Sequence, residues 1–197
     1  MNQNLDTCIQ KASSLTFPSK RLIKSLPHPI IIGIMGRGEV GIGAKEMLQH
    51  FNLKEIPASE IKADLDPSNA YFTILSWEHY LWHKNGSKFD ENDFKINSKE
   101  YVNIFETEYL PYLTVYVNAI SWSKDYPHLI TKQGLKLAKS FNRLLVIADV
   151  SCLIDGSIEI LQKYNEIESP FSYYDCENDE WHEQAWKDTI LYMAVEG

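Results

Sequence analysis

Apolar residues come in short continuous runs that alternate with segments of helical spacing, and this pattern predicts the elements of the chain. The first run, Ile30–Met35, predicts a strand that is buried on both faces. A helix is predicted after the glycines that follow, because apolar residues recur there at helical spacing and form a face that we expect to pack on the sheet. The residues of this face are Val40, Ala44, Met47 or Leu48, and Phe51.

Later β-rich runs and helical stretches extend the alternation. Strands are predicted over residues 53–56, 71–76, 113–120 and 144–150, with two weaker ones over 157–161 and 189–195. Helices are predicted over 99–109, with Tyr101, Phe105 and Tyr109 as the buried stripe, and over 131–139. The polar segment between Trp77 and Ser98 is predicted to be an exposed loop. The alternation predicts an α/β fold with a doubly wound, mainly parallel, Rossmann-like sheet.

Residues 1–29 differ from the rest of the chain. They contain a short helix candidate around residues 5–13 and then the prolines Pro18, Pro27 and Pro29. We therefore expect a linker or N-terminal extension over 1–29 and one Rossmann-like domain over 30–197.

Composition excludes several classes of function. A net charge of -8 and a pI near 5.2 argue against nucleic acid and anionic membranes as partners, because phosphate binding needs clustered Lys and Arg. The apolar runs are too short to span a bilayer, and the N-terminus lacks the features of a secretory signal. Three cysteines without metal-ligand spacing are typical of reduced thiols. We expect an intracellular protein, cytoplasmic rather than mitochondrial, since Asp6 and the lack of an early arginine disfavour a transit peptide.

The predicted first strand leads into a Gly-x-Gly-x-x-Gly turn. Such a turn lets backbone N–H groups approach a pyrophosphate, and the helix after it directs its positive end at the phosphate. An ordinary turn also contains glycines, but the flanking strand and helix favour dinucleotide binding. The candidate cofactor residues here are Gly36, Arg37, Gly38, Val40 and Gly41.

Two acidic residues follow at the distance where the fold places an acid for the ribose hydroxyls. They are Glu55 and Glu60, about 20 residues after the first glycine. Arg37 in the turn could instead favour a 2′-phosphate. The cofactor is therefore predicted to be NAD or NADP.

Polar residues end two further strands at the edge where ligands bind in open α/β folds. Asp149 and Ser151 end one strand, and the stretch from Asn118 to Trp122 ends another; each could equally cap an ordinary turn. Two histidines close to Glu78 suggest a metal site, but no third ligand follows a pattern and we favour a packing role. The acidic residues 177–183 are predicted to form a solvated turn.

A series of motifs in fixed order resembles a known enzyme family. The motifs are Phe89-Asp90, Phe94, Tyr101, Phe105, Leu110-Pro111-Tyr112, Val117 to Trp122, Leu129-Ile130-Thr131, Ala148 to Ser151, Gly156 to Glu159, Ser169-Pro170-Phe171 and Tyr174-Asp175. Together they resemble the lysine-ketoglutarate reductase half of alpha-aminoadipic semialdehyde synthase. More distantly they resemble the lysine-forming saccharopine dehydrogenases, which share the Gly36-Arg37 pair.

The resemblance implies an NAD(P)-dependent oxidoreductase of lysine metabolism that makes or breaks saccharopine, the adduct of lysine and 2-oxoglutarate. It implies that residues 36–38 hold the pyrophosphate. The nicotinamide side of the cleft would be formed by Asp149, Val150, Ser151 and Cys152, and the junction of cofactor and substrate by Ala119, Ile120, Ser121 and Trp122. We take Ser121 and Trp122 as the substrate-binding residues.

The family's catalytic lysine and histidine lie in an upstream domain, which we expect this chain to lack. No catalytic residue is therefore assigned. Saccharopine, or lysine with 2-oxoglutarate, would bind only if a catalytic domain complements the chain. The sequence departs from the family at Cys152-Leu153 and at Trp186-Lys187-Asp188. These departures keep a second hypothesis open, a non-catalytic Rossmann-like binding or assembly module that has lost the chemistry.

Overall fold

An eight-stranded sheet organises the chain. The computed structural model describes residues 26–51 and 53–194, so the helix expected near residues 5–13 lies outside the described part. The strand order is β2-β3-β1-β6-β7-β10-β8-β9. All neighbouring pairs from β2 to β10 are parallel, and β8 is antiparallel to both β10 and β9. The predicted α/β, mainly parallel sheet is confirmed.

The elements are short, and ten strands and five α-helices lie in the described residues. The strands are β1 Ile30–Met35, β2 Lys54–Glu55, β3 Ala70–Leu75, β4 Leu81–His83, β5 Tyr101–Asn103, β6 Val115–Asn118, β7 Val146–Asp149, β8 Ser172–Asp175, β9 Glu180–His182 and β10 Ile190–Met193. The helices are α1 Glu39–Gln49, α2 Trp77–Tyr80, α3 Glu91–Asn97, α4 Phe105–Glu108 and α5 Lys132–Ser140. Single 3-10 turns span Ala58–Glu60, Ser98–Glu100 and Leu110–Tyr112.

The two faces of the sheet pack against different elements, as expected for a doubly wound fold. On one face, Ile30, Ile32 and Phe72 form a small cluster with Leu48 of α1. The opposite face carries the main core, to which α2 through α5 contribute. Tyr116 and other aromatic side chains are fully buried in this second core.

Strand order departs from simple succession next to the glycine turn. Strand β2 follows α1 along the chain but lies at the sheet edge, and β3 takes the place beside β1. Strand β6 lies on the other side of β1. The strands that follow β1 along the chain therefore lie on both sides of it. The point at which the strand order reverses, the topological switch point, lies at the carboxyl end of β1.

The predicted helix over residues 99–109 is wrong in its first half. Tyr101–Asn103 form a strand that pairs with Leu81–His83, and only Phe105–Glu108 are α-helical. The Asn103 side chain accepts a hydrogen bond from the N–H of Phe105 and donates to the carbonyls of His128 and Leu129. These bonds to a distant loop favour the strand over local helical propensity.

The segment expected to be an exposed loop also folds. Residues 77–98 contain α2, β4 and α3, and they bury Tyr80, Leu81 and Phe94. The Trp77 ring contacts Phe89 and Phe94, with ring centroids 6.3 and 5.0 Å apart. Aromatic packing outweighs the polar composition that predicted a loop.

Three smaller expectations are also corrected. Residues 157–161 form no strand but only an isolated bridge between Ile130 and Ile158. The acidic segment contains β9 instead of being only a turn. On α1, Leu48 packs against the sheet while Val40 is exposed, and the buried residue of the helix is Gly41, which lies against the glycine turn.

Candidate functional site

The glycine turn lies between the ends of three parallel strands. The Gly36 N–H donates to the Leu75 carbonyl of β3 at 2.9 Å, and the Ala119 N–H donates to the Met35 carbonyl of β1 at 2.9 Å. Gly36 has a φ of +123°, which side-chain-bearing residues rarely adopt. The turn is thus fixed at the switch point, where open α/β sheets bind ligands.

The three glycines of the motif differ in how much space surrounds them. A Cβ on Gly36 would lie 2.9 Å from the Ala119 carbonyl carbon and closer still to its oxygen. A Cβ on Gly41 would lie 2.8 Å from the Gly36 carbonyl carbon, again closer to the oxygen. A Cβ on Gly38 would meet nothing within 4 Å. The packing around the turn therefore requires glycine at positions 36 and 41 but not at 38.

Gly38 is also the N-cap of α1, and it contributes no side-chain capping bond. The first-turn N–H groups of an 11-residue helix thus lie beside the open space above Gly38. Such groups and the helix dipole attract anions.

Two cavities meet at the turn. One, of about 550 Å³, extends from Gly36 and Gly41 past Lys45 to Glu55 and Ile74. The other, of about 300 Å³, extends from Gly36 past Trp77 to Ile120. Arg37 and Gly36 line both, so the cavities form one cleft across the carboxyl ends of β1, β3 and β6.

The larger cavity carries an ion pair at its outer end. Glu55, the last residue of β2, accepts from Lys45 of α1 at 2.7 Å. Glu55 thus ends the edge strand of the sheet, with β3 between it and β1. Glu60, the other candidate acid, does not line this cavity.

A second ion pair lies beside the turn. The Arg37 guanidinium is 2.7 Å from the Glu78 carboxylate. Burial raises the pKa of Glu78, but hydrogen bonds from its own backbone N–H and from Ser76, and the charge of Arg37, outweigh that effect and leave the pKa below its ordinary value. Glu78 is therefore a carboxylate at neutral pH.

Asp149 lies at the same sheet edge but inside the protein. It is buried and accepts hydrogen bonds from Tyr192, from the Asn118 side chain and from the Cys152 N–H, at 2.7 to 3.0 Å. Asn118 also donates to Ser157 and accepts from Tyr116. Burial raises the Asp149 pKa, although these hydrogen bonds act in the opposite direction. The arrangement is a satisfied internal network that joins β6, β7 and β10.

The loops after β6 and β7 are tied together behind the cleft. Ser151 donates from its hydroxyl to the Ile120 carbonyl at 2.6 Å. Ala119 is buried beside Gly36, while Val150 and Ser121 are exposed. Trp122 donates to the Pro127 carbonyl and stacks on His128, with ring centroids 5.6 Å apart.

The structure therefore brings together only part of the predicted site. The predicted residues that line the cleft are Gly36, Arg37, Gly38, Gly41, Glu55 and Ile120. Those that line neither cavity are Val40, Ala119, Ser121, Trp122, Asp149, Val150, Ser151 and Cys152.

Sequence reasoning missed several residues that line the cleft. Ser76 directly follows an apolar strand and carries a polar signal like that of Asp149, so it could have been found. Lys45 and Trp77 carry no such signal, because their place depends on how α1 and α2 pack.

The described residues contain no candidate metal-binding group and no membrane-spanning helix. His79 bonds to Ser76 and His83 lies 3.6 Å from Asp93, and no group of three His, Cys, Asp or Glu in the described part could hold a metal ion. None of the helices in residues 26–51 and 53–194 is long and apolar enough to cross a membrane.

Comparison with known proteins gives one consistent set of relatives. No protein-family model matches the chain. The alpha-aminoadipic semialdehyde synthase of Arabidopsis thaliana is 30% identical over 184 residues, which cover 85% of this chain and 17% of that protein. The mitochondrial enzymes of that name from Bos taurus and Rattus norvegicus are each 26% identical over 186 residues, which cover 85% of this chain and 20% of theirs.

The chain spans about a fifth of the length of these curated relatives. Over 85% of its own length it is similar to one segment of the alpha-aminoadipic semialdehyde synthases, and this confirms the resemblance that its ordered motifs predict.

Proposed function

We propose that this chain is the nicotinamide dinucleotide-binding domain of an oxidoreductase. The observation that carries the proposal is the cleft at the switch point, where Gly38 leaves space beside the N-terminus of α1 and Glu55 stands at the far end. The pyrophosphate would lie over the turn. The ribose would lie against Glu55, and the nicotinamide would lie toward Ile120 and Trp77.

The substrate part of the proposal rests on the relatives. The chain would serve in making or breaking saccharopine, from lysine and 2-oxoglutarate, when a catalytic domain completes the cleft. The bound nicotinamide would supply the hydride chemistry. Residues of this chain would bind and orient the cofactor, because a cofactor domain alone forms only one wall of a substrate cleft. Ser121 and Trp122 stay predictions for the substrate side, as does a cytoplasmic location.

A titration with NADH and NADPH tests the proposal. Trp77 lines the cleft, so we expect saturable quenching of tryptophan fluorescence by at least one of the two cofactors. Gly38→Ala should weaken binding at least about tenfold, since a methyl group enters the space meant for the pyrophosphate. Gly43→Ala is the matched control, because its Cβ also meets nothing within 4 Å but lies further along α1. A folded protein without saturable binding at millimolar cofactor would overturn the proposal.

A second function has one observation in its favour. Both cations of the cleft, Arg37 and Lys45, are already paired with carboxylates. Such pairing within the chain is expected of a non-catalytic binding or assembly module, because its cations have no phosphate to bind. It predicts no saturable binding of either cofactor to the folded protein.

A further inference from the structure

Arg37 stands at the junction of the two cavities, and its partner is an acid of the protein itself. The Arg37 guanidinium and the Glu78 carboxylate are 2.7 Å apart, with 61% and 45% of their side chains exposed. Both residues line the smaller cavity together with Gly38. The pair therefore lies beside the place proposed for the pyrophosphate.

Glu78 is held in this position by local structure. It lies in the first turn of α2, which starts after Ser76 at the end of β3. This turn is fixed by hydrogen bonds in both directions: the Ser76 N–H donates to the His79 ring at 3.2 Å, and the His79 N–H donates to the Ser76 carbonyl at 2.9 Å. Ser76 is in turn fixed by His79, whose ring nitrogen is 3.0 Å from the serine hydroxyl.

A carboxylate and a phosphate compete for the same guanidinium. Both are anions whose two oxygens accept a pair of N–H bonds from arginine. The fixed negative charge of Glu78 also repels an incoming phosphate in the same cavity. Phosphate binding at this turn must therefore displace Glu78 from Arg37 or work against it.

We infer that Glu78 is an internal competitor that holds Arg37 when the cleft is empty and lowers the affinity for a dinucleotide. The inference rests on the proposed function and adds its regulation. On binding, Arg37 leaves Glu78 and pairs with a phosphate of the dinucleotide. Lys45 and Glu55 form a separate pair at the other end of the cleft, so this exchange concerns Arg37 alone.

The test is a titration of the full chain and four variants with NADH and NADPH at one ionic strength. Glu78→Gln keeps the shape of the side chain but removes its charge, and we expect about tenfold tighter binding. Glu108→Gln is the matched control. Glu108 is also half-exposed and paired with a cation, Lys62 at 2.6 Å, but does not line the cleft. The Glu108→Gln substitution should change the affinity for either cofactor less than twofold.

The double variant Arg37→Ala/Glu78→Gln separates competition for Arg37 from general repulsion. Compared with Arg37→Ala alone, it should gain much less than tenfold, because the contested guanidinium is gone. Thermal melting confirms that each variant is folded. Unchanged or weaker binding by Glu78→Gln, with a wild-type chain that binds, overturns this inference alone. Absence of binding by the wild type and all variants overturns it together with the proposed function.

Discussion

Replacing Gly36 with alanine should destabilise the protein far more than the same change at Gly38. At Gly36 the backbone has a φ of +123°, and a Cβ would lie 2.9 Å from the carbonyl carbon of Ala119, with the oxygen closer still. The neighbour is backbone of the adjacent loop, so it cannot move aside as a flexible side chain would. The substitution forces either the turn or the end of β6 out of place.

The magnitude follows from two contributions. A non-glycine residue in a sparsely populated backbone region costs about 1–3 kcal/mol. Forcing a methyl group into filled space costs about 1–3 kcal/mol more. We therefore expect Gly36→Ala to lower the free energy of unfolding by about 2–6 kcal/mol, a large part of the roughly 5–15 kcal/mol that a domain has.

Urea denaturation followed by tryptophan fluorescence measures this difference. With an m-value of about 2–3 kcal/mol per M, the urea midpoint of Gly36→Ala should fall by roughly 1–3 M. Gly38→Ala should stay close to the wild type, because its Cβ meets no atom within 4 Å. Equal midpoints for the two variants would show that Gly36 is no more important to the fold than Gly38.

Three other changes test other parts of the structure. Burial raises the folded pKa of Asp149, so the stability it contributes is greatest below its ordinary pKa of about 4 and is lost as the pH rises through the folded value. The free energy of unfolding of the wild type relative to Asp149→Asn should therefore decrease from pH 4 to pH 7, and a constant difference in urea titrations would contradict the raised pKa. Asn103→Ala should lower the free energy of unfolding by about 2–4 kcal/mol, because it removes three hydrogen bonds that hold β5 and the 128–129 loop. A thermal melt indistinguishable from that of the wild type would show that these bonds are dispensable. Cys176 is buried and its pKa is raised to about 11, so a thiol reagent at pH 8 should modify it only as fast as the protein unfolds; rapid labelling in native buffer would disprove its burial.

The strand that starts the domain was predictable because its signal is local. Five apolar side chains and one glycine in six consecutive positions, followed by a glycine turn, leave few alternatives, and β1 spans the predicted residues. Helix α5 was predictable for a similar reason. Thr131 accepts a hydrogen bond from the Gly134 N–H at its N-terminus, and Leu135 and Ala138 follow on the buried face.

Pairing between distant segments could not be predicted. Tyr101 and Phe105 are both buried, as their helical spacing suggested, but Tyr101 reaches the core from a strand. That strand exists because β4 lies about 20 residues earlier and supplies its partner. Single-residue propensity contains no information about such a partner.

The candidate site likewise has one part that is local in the sequence and other parts that depend on contacts between distant residues. The glycine turn is a local motif, and the structure places it at the cleft. The partner of Arg37 is Glu78, which lies 41 residues away and reaches the turn only because β3 pairs with β1. Asp149 shares the polar strand-end pattern of a site residue, yet it lies in a buried network in which two of its three donors come from β6 and β10.

Amide chemical-shift mapping shows directly whether a dinucleotide binds at the glycine turn. In a titration of the isotope-labelled chain with NADH and with NADPH, we expect the largest shifts on the amides of residues 36–41, on Glu55 and on Ile120. Shifts concentrated on the cavity between α5 and the β8–β9 hairpin, which Cys176 and Trp186 line, or no shifts at all, would contradict binding at this turn.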